Sequence, residues 1–415
     1  MDESRHDGRR VPADLTEGFG ERLLGQLLDR AHEMPPHLIA PLVAEEISRI
    51  GGRKVSIHLQ DHDQRLLVPM PGRGLIDGEP VAVDGSRAGR ALMDRRPLRD
   101  QQADGVRMYL PLLDGSDEVG VLSLTLDAVG EHDLRLLSRL ASLVADILVT
   151  KSHYTDQFFM ARCQGEAMSV PAEIQRQLLP PLSMTTPQIS VAGLLEPTYA
   201  VAGDSLDYVL NEDILHLVII DAMGHGLKAA GLATVAMGAY RHARRSGAEL
   251  AEVYRFMDTA MDEAFGPEDF VTGQMMRLDV STGYLEWVNA GHPAPMLVRG
   301  HRVVQRLESP TTLPVGFGGN LPTVSSVQLH QGDRVIAFTD GLVEEHKISG
   351  EQFGEQLLID TIEHVSPLAS GVTHLVRRLS SDLKRQRGGV TSDDATLLII
   401  EWRGGTADHL ATPDL

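Results

Sequence analysis

Apolar positions follow two rhythms along this chain, and the change between them marks its organisation. Residues 15–34 and 37–50 carry apolar side chains every three or four positions, which predicts two helices. Ile39, Val43, Ile47 and Ile50 form the inner face of the second. Pro35-Pro36 stops the first and Gly51-Gly52 the second. Shorter apolar runs predict strands at 54–60, 64–69, 106–113 and 120–126, with a short helix over 85–92. Helices flanking a strand-rich middle predict an α+β unit over residues 15–132.

A helical stripe returns at 134–168, through Leu137, Leu140, Val144, Ile147, Tyr154, Phe158 and Met168. Glu131-His132-Asp133 puts acids at its start, where the helix dipole favours them. The first half of the stripe fits a helix packed on its own domain or a coiled coil in a dimer. The second half predicts the coiled coil. Next comes Pro171-Ala172-Glu173-Ile174-Gln175-Arg176-Gln177-Leu178-Leu179-Pro180-Pro181. Pro171 suits a helix's first turn and Pro180-Pro181 ends it, so Ile174 and Leu178 share a face with Leu179 at its edge. Residues 133–181 are predicted as a helical linker.

Strands dominate residues 182–403: 189–194, 199–210, 214–221, 273–279, 285–290, 295–299, 303–307, 325–329, 334–339 and 396–402. Helices are predicted at 227–245, 248–264, 352–363 and 367–385. This pattern predicts an α/β sandwich, two antiparallel sheets covered by helices. The polar ends, before residue 15 and after 403, are expected to be disordered.

Charge and cysteine content narrow the function classes. Asp plus Glu is 58 against 38 for Lys plus Arg, a formal net charge of −20, which argues against nucleic acid and anionic membrane as partners. The single cysteine, Cys163, excludes an internal disulfide and a multi-cysteine metal site. The N-terminus lacks a signal-peptide pattern, and no apolar run reaches the ~20 residues that span a bilayer. The expectation is a soluble, cytoplasmic protein.

The chemistry is carried by acids at the ends of apolar strands. Asp204 and Asp207 lie on the run at 199–210, and Asp221 ends Ile214-Leu215-His216-Leu217-Val218-Ile219-Ile220. Asp340 follows the run at 334–339, and Asp393-Asp394 precedes that at 396–402. Each acid alone could be a turn residue, a cap or a solvated side chain. Adjacent strand ends would bring them together, and no Lys or Arg neighbours Asp204, Asp221, Asp340 or Asp393 in sequence. Converging carboxylates raise one another's pKa values unless cations bind, and oxygen-only ligation suits Mg²⁺ or Mn²⁺ over zinc. His225 and His292 lie in glycine-containing loops and read as structural.

Val83-Asp84-Gly85-Ser86-Arg87-Ala88-Gly89-Arg90-Ala91, Arg96-Pro97 and the run from 106 into Gly120-Val121-Leu122-Ser123-Leu124 resemble a GAF domain. The resemblance implies a sensor for a small-molecule or protein signal. Tyr109 is the only Phe, Trp or Tyr between Pro41 and Gly130, which leaves a purine little to stack on, and no cysteine there could hold a bilin. His37, His58 and His62 read as structural or exposed rather than as haem ligands.

Ala202-Gly203-Asp204-Ser205-Leu206-Asp207, Asp221-Ala222-Met223-Gly224-His225-Gly226, Asn289-Ala290-Gly291-His292-Pro293, Thr339-Asp340-Gly341-Leu342-Val343-Glu344 and Ser392-Asp393-Asp394-Ala395-Thr396 resemble the catalytic domain of PPM (type 2C) metal-dependent protein phosphatases, in the SpoIIE/RsbU branch. The branch usually has Gly-Gly-Asp and an aromatic where this chain has Ala202-Gly203-Asp204 and Ser205-Leu206. The resemblance implies two Mn²⁺ or Mg²⁺ ions. Asp221 would bridge them with help from the carbonyl of Ala222, Asp340 and Asp393 would hold the second, and Asp204 would support the first through water. Asp207 and Asp394 would be outer-shell residues. It implies a phosphoserine/phosphothreonine phosphatase acting on a phosphorylated anti-sigma-factor antagonist. Residues 171–181 resemble the switch segment before such domains, which makes Ile174, Gln175, Leu178 and Leu179 regulatory candidates in a homodimer. The alternatives are a catalytically silent signalling scaffold and a ligand-responsive binding module.

Overall fold

The computed structural model describes residues 19–115, 117–155, 168–196, 203–310, 312–318, 321–343, 354–387 and 394–405. The chain opens with helices α1 (Phe19–Glu33) and α2 (Ile39–Arg49). Then follow β1 (Arg53–Gln60), β2 (Leu66–Pro69), β3 (Val81–Ala82), α3 (Arg87–Met93), β4 (Leu98–Gln102), β5 (Gly105–Asp114), β6 (Asp117–Leu126) and α4 (Glu131–Ser152). These strands form one antiparallel sheet in the order β3-β2-β1-β6-β5-β4. Alternation along β1 turns Val55, Ile57 and Leu59 toward α1, α2 and α4, where they share one core.

α4 decides the first half of the linker stripe. Leu137, Leu140, Val144 and Ile147 are buried in that same core, so this half packs on its own sheet and is not a free coiled-coil face. Of the predicted second half, Tyr154 is exposed and Met168 half-buried, while Phe158 lies outside the described residues, as do residues 1–18, residues 406–415 and Cys163.

The remainder begins with α5 (Val170–Leu178), β7 (Ser183–Thr185), β8 (Ile189–Glu196), β9 (Asp204–Asn211) and β10 (Ile214–Ala222). α6 (Leu227–Arg245) and α7 (Leu250–Ala264) precede β11 (Val271–Asp279), β12 (Tyr284–Ala290), β13 (Met296–Arg299) and β14 (Arg302–Arg306). β15 (Ser325–Gln328), β16 (Arg334–Phe338), α8 (Gly354–Val365), α9 (Val372–Arg387) and β17 (Ala395–Trp402) complete it. Two antiparallel sheets result, β15-β12-β11-β10-β9 and β14-β13-β16-β17-β8-β7.

Strand alternation builds a sandwich from them. Leu206, Leu215, Leu217 and Ile219 of one sheet meet Val191, Val335, Ala337, Leu398 and Ile400 of the other in a shared core. The outer face of the first sheet is covered by α6 and α7, that of the second by α8 and α9. Among the described residues no helix is long and apolar enough to cross a membrane.

Two ion pairs tie the first sheet to the sandwich. Arg377 of α9 donates to Glu118 of β6 at 2.7 Å, and Arg65 donates to Glu196 at the end of β8 at 2.9 Å. Arg377 and Glu118 are 10% and 3% exposed, so separating them would strand a buried charge.

Candidate functional site

The site forms where β9 begins and β10 ends, beside the end of β16 and the start of β17. The β9–β10 register places Asp204 opposite Asp221. Asp204 has the parity of Leu206, and Asp221 that of Ile219, so both acids lie on the inter-sheet face of their strands. Gly203 permits the close crossing beside them. Its carbonyl accepts the Ala222 N–H at 3.1 Å, and a Cβ there would stand 3.1 Å from the Ala222 oxygen.

The second sheet reaches the same point. Thr339 and Thr396 hydroxyls donate to Asp204 Oδ2 at 2.7 and 2.6 Å. The two threonines also hold each other: Thr339 N–H donates to Thr396 O at 3.1 Å and Thr396 N–H to Thr339 Oγ1 at 2.9 Å. Asp340 opens a 3-10 turn (Asp340–Leu342) directly after Thr339. Gly341 packs on the start of β17 so closely that a Cβ would fall 1.8 Å from the Asp394 oxygen. Asp394 accepts the Asp204 N–H on Oδ2 at 3.3 Å. Asp393 lies outside the described residues.

Negative charge accumulates here. Burial, then the charges of Asp221 and Asp394, raise the Asp204 pKa well above the ordinary carboxylate value, and the two threonine hydroxyls oppose the rise. An oxygen-only set under mutual repulsion fits a hard cation such as Mg²⁺ or Mn²⁺. Among the described residues no group of three His, Cys, Asp or Glu side chains forms a metal cage by itself.

α5 supplies a further contact. Its N-terminus is capped by Ser169, whose hydroxyl accepts the Ala172 N–H at 3.3 Å. Gln175 is 2% exposed and donates its side-chain amide to Asp204 O at 2.6 Å and to Asp394 Oδ2 at 3.2 Å. Ile174 is half-buried. Leu178 packs on the core under α6 and α7, and Leu179 on the inter-sheet core.

Asp207 departs from expectation. An odd step from Asp204 turns it to the helix-covered face, where its Oδ2 accepts from Arg241 Nε at 3.0 Å and Arg244 Nη1 at 2.9 Å. It is a buried ion-pair partner of α6, not a companion of the acids around Asp204. His292 is buried, and its Nδ1 shares a 2.8 Å hydrogen bond with Thr272 Oγ1. Thr272 is the β11 neighbour of Asp221, and burial lowers the His292 pKa to about 3, which keeps the ring neutral. His225 is exposed. The threonine pair was missed in sequence; its only signal is a Thr just before Asp340 and another just after Asp394-Ala395.

Residues 211–403 match the family model for stage II sporulation protein E (SpoIIE). That span contains Asp221, Asp340, Asp393 and Asp394, and it starts after Asp204 and Asp207. Protein IcfG of Synechocystis is 25% identical over 262 residues, covering 55% of this chain and 40% of IcfG. Phosphoserine phosphatase RsbP of Bacillus subtilis is 24% identical over 172 residues, covering 39% of this chain and 42% of RsbP. The chain thus spans less than half the length of these two relatives. The crystal structure of the RsbU and RsbW domains of Rv1364c from Mycobacterium tuberculosis is 28% identical, with a TM-score of 0.46, covering 53% of this chain and 63% of that one.

Proposed function

We propose that this chain is a metal-dependent protein phosphatase of the SpoIIE type, hydrolysing phosphoserine or phosphothreonine on a signalling protein in the cytoplasm. The observation that carries the reading is the pairing of Asp204 with Asp221 across β9 and β10, held from the opposite sheet by Thr339 and Thr396. The SpoIIE match over 211–403 and the likeness to a phosphoserine phosphatase support it.

In this reading Asp221, the carbonyl of Ala222, Asp340 and Asp393 would hold two Mn²⁺ or Mg²⁺ ions, and Asp204 would support the first. Bound ions would supply Lewis-acid activation of water and would neutralise phosphate charge. The chain's own part is positioning. Thr339 and Thr396 orient the Asp204 carboxylate, and Gln175 ties its backbone to Asp394. The substrate in this reading is a phosphorylated anti-sigma-factor antagonist.

Control comes from residues 15–132, read as a GAF-like sensor for a small-molecule or protein signal, through the linker at 133–181 in a homodimer. Ile174, Gln175, Leu178 and Leu179 form the switch that meets the domain at 182–403. The contact of Gln175 with Asp204 supports a direct mechanical route.

Phosphate release from a phosphoserine peptide tests the reading. Activity should vanish in EDTA and return with Mn²⁺ or Mg²⁺. Turnover that persists in EDTA, or that returns with Zn²⁺ alone, would overturn the hard-ion assignment.

A further inference from the structure

α5 is tied to β9 twice. One grip is the Gln175 bond to Asp204. The other runs through a side chain of α6. Arg241 Nε donates to Asp207 at 3.0 Å while its Nη2 donates to the carbonyl of Leu178, the last residue of α5, at 2.5 Å. Asp207 and Asp204 are three residues apart on one strand, so the two grips hold neighbouring points of β9.

Arg241 is not needed to neutralise Asp207. Arg244 already donates to the same Oδ2 at 2.9 Å, and its guanidinium stacks 5.2 Å from the Tyr240 ring centre. What Arg241 alone does is bridge. The last carbonyls of a helix lack intrahelical partners and carry its negative dipole end, so a guanidinium there caps the helix as well as anchoring it. A planar fork can serve two acceptors at fixed angles, which a lysine ammonium on a flexible stem does not reproduce.

We infer that Arg241 is a positioning residue for the metal-dependent reaction: it locks α5 to β9 through Asp207 and Leu178 and so fixes the backbone that carries Asp204. The inference rests on the phosphatase reading for its activity readout and on the structure alone for the lock. Without the bridge, α5 is free to shift on β9, Gln175 loses its alignment with Asp204, and the acid end binds metal less well.

The test compares the full chain with Arg241→Lys, which keeps a cation beside Asp207 and removes the fork. Amide hydrogen exchange over residues 170–182 reads the lock, and phosphate release from a phosphoserine peptide across a Mn²⁺ titration reads its consequence. Exchange in that segment should quicken, and half-activation should need about tenfold more Mn²⁺, with turnover at saturating Mn²⁺ retained. Asp207→Asn, which weakens the anchor and leaves both arginines, should do the same and covers the case of an unfolded Arg241→Lys. Unchanged exchange in a folded variant would overturn the lock. Quicker exchange with an unchanged Mn²⁺ midpoint would overturn its role in positioning. A wild-type chain without Mn²⁺- or Mg²⁺-dependent turnover would instead sink the phosphatase reading, and exchange alone would then decide the lock.

Discussion

Gln175 places its side-chain amide 2.6 Å from the carbonyl oxygen of Asp204, so the short helix α5 touches the backbone of a fully buried acid of the site. The same amide reaches Asp394 Oδ2 at 3.2 Å. One side chain therefore joins three chain segments that are distant in sequence. Gln175→Ala would take the donor from a buried carbonyl and from a buried carboxylate. Urea unfolding in EDTA should show a loss of about 1–3 kcal/mol, the usual cost of an acceptor left without its donor. A variant as stable as wild type would mean that water or a rearranged α5 replaces the contact.

The threonine pair makes a separate prediction. Both hydroxyls converge on one Asp204 oxygen, and the Thr339 hydroxyl also accepts the Thr396 N–H across the strand junction of the second sheet. Valine is nearly the same shape without the hydroxyl. Thr339→Val and Thr396→Val should each cost about 1–3 kcal/mol. The double variant should cost more than the sum, because only it takes both hydroxyl donors from the shared acceptor. Strict additivity in a double-mutant cycle would show that they act independently.

Asp221→Asn should separate stability from activity. The Asp221 charge is one cause of the raised Asp204 pKa, so removing it relieves repulsion between buried acids. Without metal, the variant should be at least as stable as wild type. If the chain is the proposed phosphatase, phosphate release at saturating Mn²⁺ should fall by at least about 100-fold, because an amide is a poor substitute for a carboxylate proposed to bridge two ions. A destabilised variant with near wild-type turnover would reverse both halves of the argument.

Legibility in sequence followed the strength of local pattern. β10 is buried along most of its length and was readable as one apolar run, and the acids at such strand ends were readable with it. β4 (Leu98–Gln102) reads Leu-Arg-Asp-Gln-Gln, a polar sheet edge with no apolar rhythm, and β7 has three residues; both escaped. Asp207 looked like a companion of Asp204 because they are close in sequence. Its partners Arg241 and Arg244 lie 34 and 37 positions away on a helix, and only the packing of α6 on β9 reveals them. Thr339 and Thr396 were invisible for the same reason, since their meeting depends on the register of β16 against β17.

His292 offers a pH test. Burial lowers its pKa from 6.5 to about 3, so the folded protein keeps the ring neutral while the unfolded chain protonates it near 6.5. The sign follows. Its contribution to stability is complete above pH 6.5 and is lost progressively as the pH falls toward 3. Over most of that window one proton is taken up on unfolding, a slope of about 1.4 kcal/mol per pH unit. His292→Asn keeps a polar atom near the Nδ1 position, within reach of Thr272, and removes the titration. Urea unfolding at pH 7, 6 and 5 should show the variant less stable than wild type at pH 7 and closer to it at pH 5. The gap should narrow by about 1 kcal/mol between pH 6 and 5. Parallel curves would mean that His292 is not held neutral, and that the bond to Thr272 beside Asp221 does not depend on a neutral ring.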